Sequence, residues 1–184
     1  YGHCVINVEP LARGEGIKFI NKIKGGSIPS EFIPSVEKGV MEATEKGVLL
    51  GYPITDIQVT LVDGSYHDVD SSDIAFKIAG SMALHDAVKQ AGPTLVEPIM
   101  KLEVTIPEAF MGVVIGDISS KRGKILGTEK RSRAVVIKSH VPLSELSGYA
   151  TIIRSLTEGR GVFYMEPSHY EEVPKNVIAL MLKK

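Results

Sequence analysis

The stretch Gly64–Asp73, GSYHDVDSSD, packs one histidine and three aspartates into a segment lying between a strand pattern and a helix pattern. Three chemistries compete for it. His67, Asp68 and Asp70 could form a metal or acid/base site; the segment could be a turn and a helix cap with no chemistry; or it could be a recognition tip that presents Tyr66 and His67. A metal site needs about three ligands converging from different directions, and these three lie in one short segment with no second cluster near them in sequence. The turn-and-cap reading uses Asp63-Gly64 to reverse the chain and Asp70, Ser71 or Ser72 to cap the next helix. It leaves SYHDV as a loop, and loops on rigid scaffolds are where binding residues concentrate.

The second stretch able to do chemistry is KRGKILGTEKRSR, residues 121–133, with six Lys/Arg against one Glu. It reads either as a solvated charged face or as a phosphate-binding patch built from Lys121, Arg122, Lys124 and Arg131. Neither RGKILG nor GTEKRSR has the Gly-x-x-x-x-Gly-Lys-Ser/Thr spacing of a phosphate loop. His3, His85, His140 and His169 are scattered and read as ordinary surface or core-edge residues.

The elements that position these stretches follow from hydrophobic periodicity. CVINVEPL and KFINKI read as strands, and GGSIPSEFIP (25–34) as a breaker-rich loop. PSVEKGVMEATEKG (34–47) is a helix with Val36, Val40 and Met41 on one face, proline in its first turn and Gly47 as its stop. ITDIQVTLVDG alternates Ile57, Val59 and Leu61 and is expected to end at an Asp63-Gly64 turn. SSDIAFKIAGSMALHDAVKQAG is an amphipathic helix with Ile74, Ile78, Met82 and Ala83 on its apolar stripe, a serine N-cap and Asp73 in the first turn.

After KQAGPTLVEP (89–98) the pattern restarts, so the chain divides into residues 1–97 and 98–184. The first part carries 8 Lys+Arg against 13 Asp+Glu, and the second 13 against 9. The second part reads β-α-β-β-α-β, the order of a ferredoxin-like sandwich. VPKNVIALMLKK adds a terminal helix with Pro174 in its first turn.

Of the 184 residues 43% are hydrophobic and 23% charged, the composition of a globular protein, and no apolar run is long enough to span a bilayer. A single cysteine, Cys4, forms no internal disulfide, and no signal peptide precedes it. The expected setting is the cytoplasm. The chain opens on an alternation already under way, without an initiator methionine, and reads as a piece of something longer.

GGSIPSEFIPSVEKG, GYPITDIQVTLVDGSYHDVDSSDIAFKIA, EPIMKLEVTIPE, VIGDISSKRGKILG and VPLSELSGYATIIRSLTEGRGVFYMEPSHYEEVP together resemble the fourth and fifth domains of the elongation factor G family, translational GTPases that drive ribosomal translocation. The resemblance implies an α+β protein: a fourth domain (1–97) folded like the second domain of ribosomal protein S5, then a ferredoxin-like βαββαβ fifth domain (98–184). It implies a ribosome-contacting tip made of Gly25, Gly26, Ser27, Tyr66, His67 and Asp68 that enters the small-subunit decoding region beside mRNA and tRNA. It implies that the basic patch docks on rRNA near the stalk base and sarcin–ricin loop of the large subunit. The partners implied are rRNA, tRNA and mRNA, with no membrane and no oligomer. Neither a catalytic residue nor a cofactor is expected in this chain; GTP and magnesium belong to an N-terminal domain that the chain lacks.

Ser27 stands where the family commonly has Val, Leu146-Ser147 where Met-Phe is usual, and Pro167 where an aromatic usually follows the Met-Glu pair. A paralogue acting in ribosome recycling and a free-standing RNA-binding module are the alternatives, and a metalloenzyme centred on His67 is the third functional class.

Overall fold

The computed structural model describes residues 1–183; Lys184, the last residue of the terminal-helix stretch, lies outside the described residues. The chain forms two compact units, Tyr1–Thr94 and Leu95–Lys183, each with its own core.

In the first unit β1 (His3–Pro10), β2 (Ile17–Asn21) and β3 (Ile57–Ser65) form a sheet of order β1-β3-β2, with β3 antiparallel to β1 and parallel to β2. The parallel pair needs a crossover, and α1 (Ile33–Lys46) supplies it. Val59 and Leu61 point into the core and meet Val36 and Val40 of α1. From α2 (Asp73–Ala91) come Phe76, Leu84 and Val88. Gly47, in the left-handed region at φ 62°, ends α1. Ser72 caps α2, its hydroxyl accepting from the Ala75 amide at 3.2 Å.

Three expectations are corrected in this unit. Asp63-Gly64 is not a turn: β3 continues to Ser65 because His3 and Cys4 of β1 pair with Ser65 and Gly64, the register shifting between Val5 and Ile6. The reversal comes later, at Asp68–Asp70. The stripe expected to bury α2 faces solvent, with Ile74 70%, Ile78 53% and Met82 61% exposed. The face that packs contains Phe76, Gly80, Leu84 and Val88. Helices α1 and α2 pack this closely because Gly39 lies against the Lys77 backbone and Gly80 against the Val36 backbone, where no β-carbon fits. Met41, read as part of the apolar face of α1, is 38% exposed.

The second unit contains β4 (Val96–Ile106), α3 (Met111–Ser120), β5 (Lys124–Arg131), β6 (Ala134–Pro142), α4 (Tyr149–Leu156), β7 (Val162–Glu172) and α5 (Lys175–Met181). Its antiparallel sheet has the order β5-β6-β4-β7, the ferredoxin-like arrangement. Met100, Leu102, Val104 and Ile106 of β4 interdigitate with Val114 and Ile118 of α3 and Tyr149 and Ile153 of α4. Strand β4 starts two residues ahead of Pro98 and pairs Val96 with Glu172. Pro98 sits beyond the last β4–β6 pair, Ile99–Pro142, where a residue without an N–H leaves no ladder bond unmade on that side. β7 runs past Pro167 through a register shift that leaves Ser168 unpaired.

Candidate nucleic-acid interface

Parallel pairing sends the chain out of β2 and β3 at the same end of the first sheet, and antiparallel β1 starts at that end. The loop 22–29, the loop 66–72 and Tyr1–His3 are therefore neighbours, although they lie far apart in sequence. The first loop is fastened at both ends. The Lys22 amide donates to the Leu61 carbonyl at 2.8 Å, the Asn21 side-chain oxygen accepts from the Ile23 amide at 2.9 Å, and Ile28 is buried. Between these anchors Gly25 (φ 67°) and Gly26 (φ 73°) are exposed in left-handed backbone, with open space where a β-carbon would point. Other L-residues adopt that conformation at a cost, and the missing side chains leave the peptide groups bare. Ser27 has its hydroxyl buried; the Gly64 amide, donating to Asp63 Oδ1 at 2.8 Å, holds the Asp63 carboxyl below its usual range.

The second loop is closed locally. The His67 amide donates to the Ser71 hydroxyl at 2.9 Å, and the Ser71 amide donates back to the His67 carbonyl at 3.2 Å. Turn and cap are thus supplied by backbone and by Ser71 and Ser72, leaving the His67 imidazole outside both. Tyr66, His67 and Asp68 are exposed. The His67 ring lies flat on Tyr1, with centroids 4.0 Å apart and planes 11° from parallel. Among the described residues no three His, Cys, Asp or Glu side chains are grouped so as to hold a metal ion.

The structure brings Gly25, Gly26, Ser27, Tyr66, His67 and Asp68 to one end of the unit. Sequence reasoning missed three things there. Lys22 and Lys24 lie exposed beside the glycine pair; their position directly before Gly25 in NKIKGG was the available signal. Ile28 and Gly64 tie the loops together, and Tyr1 stacks on the histidine.

The four cations singled out in the second unit do not present one free patch. Arg122, in left-handed backbone at φ 57°, donates through Nη2 to Glu97 at 3.0 Å and through Nε to Glu145 at 2.9 Å. Its charge is committed to β4 and the segment before α4, and those carboxylates, Glu97 first, push its pKa further up. Lys121 pairs with Asp117 one turn back on α3. Arg131 pairs with Glu129 at 2.9 Å, and Lys138 joins the same carboxylate at 3.1 Å. Arg131 first and Lys138 second bring Glu129 down to about 2. Lys124 is exposed and forms no ion pair among the described residues. His140 and His169, read as unremarkable, meet edge to face at 5.0 Å, where the irregularity in β7 turns Ser168 toward both rings. Burial, and next His169, lowers the His140 pKa.

An S5 domain 2-like unit with paired loops at one end, followed by a ferredoxin-like unit, defines the class: the C-terminal domain pair of a translation elongation factor. The chain belongs to the elongation factor G family, residues 1–107 matching "Elongation factor G, domain IV" and residues 94–180 matching "Elongation factor G C-terminus". It is similar to elongation factor G of Aquifex pyrophilus, 59% identical over 177 residues that cover 96% of this chain and 25% of the relative. A crystal structure from Thermus thermophilus superposes on all of the chain with a TM-score of 0.86 at 39% identity, over 27% of its own length. The chain thus spans about a quarter of the length of the relatives it matches. Among the described residues no helix is long and apolar enough to cross a membrane.

Proposed function

We propose that this chain is the ribosome-contacting part of a translational GTPase and that its first unit promotes the movement of tRNA and mRNA by inserting the 22–29 and 66–72 loops into the small-subunit decoding region. GTP and magnesium are handled elsewhere in the whole protein, and this part acts mechanically on RNA. The observation that carries the reading is the pairing, at one end of a rigid sheet, of a bare glycine backbone with an exposed imidazole that the local turn and cap do not use.

The chemistry suits an RNA site. Gly25 and Gly26 let backbone amides approach phosphate and ribose at distances a side chain would forbid. His67 offers a flat ring to an unstacked base and a ring nitrogen to a phosphate or 2′-hydroxyl. Lys22 and Lys24 add a sequence-independent attraction for the backbone that weakens with salt. In the second unit Lys124 is the cation best placed to meet rRNA phosphate, while Arg122 keeps its surroundings folded.

A tethered probe tests the placement. Cys4 is half-buried and burial pushes its thiol up to about 11, so it stays largely protonated and unreactive at neutral pH. In the whole protein carrying His67→Cys, an iron chelate attached at position 67 is expected to cleave small-subunit rRNA of the decoding region. Cleavage confined to other sites would overturn the reading.

A further inference from the structure

We propose that Tyr1 is a positioning residue for His67: its ring holds the imidazole in a fixed plane so that the free face forms a platform for a nucleobase. This rests on the recognition role assigned to the 66–72 loop and adds a residue to it. The two rings are nearly parallel, 11° apart at 4.0 Å, and among the described residues His67 has no other aromatic neighbour of this kind. One face of the imidazole is covered by tyrosine, and the side chain is exposed.

The tyrosine is itself located from below. Its hydroxyl lies 2.8 Å from the Ser65 hydroxyl, which also meets His3 Nδ1 at 3.1 Å, and Ser65 is the last residue of β3. The support thus runs from sheet to Ser65 to Tyr1 to His67. An exposed histidine on a loop would otherwise sample several rotamers and lose that freedom on binding. A ring already held flat avoids much of that loss, and a base stacking on it extends a stack that exists before the encounter.

Two features separate this from a merely structural tyrosine. The hydrogen bond to Ser65 and the stack are distinct contacts, so Tyr1→Phe keeps the ring and removes the hydroxyl, while Tyr1→Leu removes the ring. The stack also has its own signature, because a proton above an aromatic ring is shifted upfield.

In histidine-labelled samples of the 184-residue chain, the His67 ring protons are expected upfield of the other four histidines in the wild type, and less far upfield in Tyr1→Phe, which keeps the ring but loses its tether to Ser65. They should return to the unstacked position in Tyr1→Leu. Identical His67 shifts in wild type and Tyr1→Leu would overturn the proposal. In the whole protein, Tyr1→Leu is expected to slow translocation severalfold, with Tyr1→Phe falling between it and the wild type. The double variant Tyr1→Leu/His67→Ala should be no slower than His67→Ala, and additive losses would overturn the positioning role. If His67→Ala left translocation unchanged, the tip reading itself would fall, and the platform with it, whatever the ring shifts show.

Discussion

The Ile28 side chain occupies the space in which a β-carbon on Gly64 would lie: that carbon would come within 2.5 Å of Ile28 Cδ1 and 2.6 Å of Cγ1. The contact joins the loop after β2 to the strand that launches the histidine loop, so the two halves of the candidate tip share one buried anchor.

Gly64→Ala is accordingly expected to force Ile28 and the β1 backbone apart, at about 1–3 kcal/mol as for other overpacked sites. Ile28→Ala should cost about 2–5 kcal/mol through the cavity it leaves. Urea unfolding followed by circular dichroism checks both. Losses below about 0.5 kcal/mol for the pair would show that the loops are not anchored there.

Arg122 and Lys124 should separate stability from binding. Arg122→Ala removes the guanidinium from Glu145 and leaves Glu97 only the Ser144 hydroxyl, and with the Arg122 side chain 26% exposed the expected cost is roughly 1–3 kcal/mol. Lys124→Ala should change stability by less than about 0.5 kcal/mol. It should weaken binding to large-subunit rRNA fragments and reduce the slope against log salt by about 1. Unfolding and salt-titrated binding on the same two proteins decide this. A stability loss at Lys124 with none at Arg122 would reverse the assignment.

Asp56 gives the first unit an acid sensitivity. Its carboxylate accepts from the Gly16 amide at 2.9 Å and the Gly14 amide at 3.1 Å, and these bonds, Gly16 first, hold its pKa below the ordinary value. The folded state therefore binds its proton less readily than the unfolded chain. The stabilisation is complete above the ordinary carboxylate pKa of about 4 and is lost as pH falls through the folded-state value. Asp56→Asn should lower the unfolding midpoint most at neutral pH, with the gap to wild type closing in acid. A gap that stays constant down to about pH 2 would contradict it.

On α2, Ile78→Ser should be near neutral for stability and Phe76→Ala should cost about 3–5 kcal/mol, since the first side chain is exposed and the second fully buried. The sequence misleads here for a physical reason. Ala75, Phe76, Ile78, Ala79, Ala83 and Leu84 put apolar groups around much of the helix, so a period of 3.6 does not single out one face. What selects the face is the pair Gly39 and Gly80, whose missing side chains let the two helix backbones approach. The other elements were legible because alternation in β3, the Ser72 cap and the Gly47 stop each carry a local signal.

The candidate tip was legible only in its exposed members. Gly25-Gly26 and Tyr66-His67 stand out by type, and the family resemblance supplied the role proposed for them. Their supports did not stand out, because Ile28, Gly64 and Tyr1 meet through strand pairing between segments far apart in the chain. For the charged run 121–133, composition alone does not show which cations are paired in the fold. Its composition is basic, yet Asp117, Glu97 and Glu145 arrive from outside the run to take up Lys121 and Arg122, and Glu129 takes up Arg131.

The most direct test follows translocation and phosphate release together on the ribosome for His67 variants of the whole protein. Base stacking of about 1–3 kcal/mol converts to a slowing of roughly 5- to 150-fold for His67→Ala, with phosphate release unchanged and folding within about 0.5 kcal/mol of wild type. His67→Lys should be tolerated better than His67→Glu, because added negative charge is repelled by RNA. A parallel loss of translocation and phosphate release, or a loss of neither, would contradict the account.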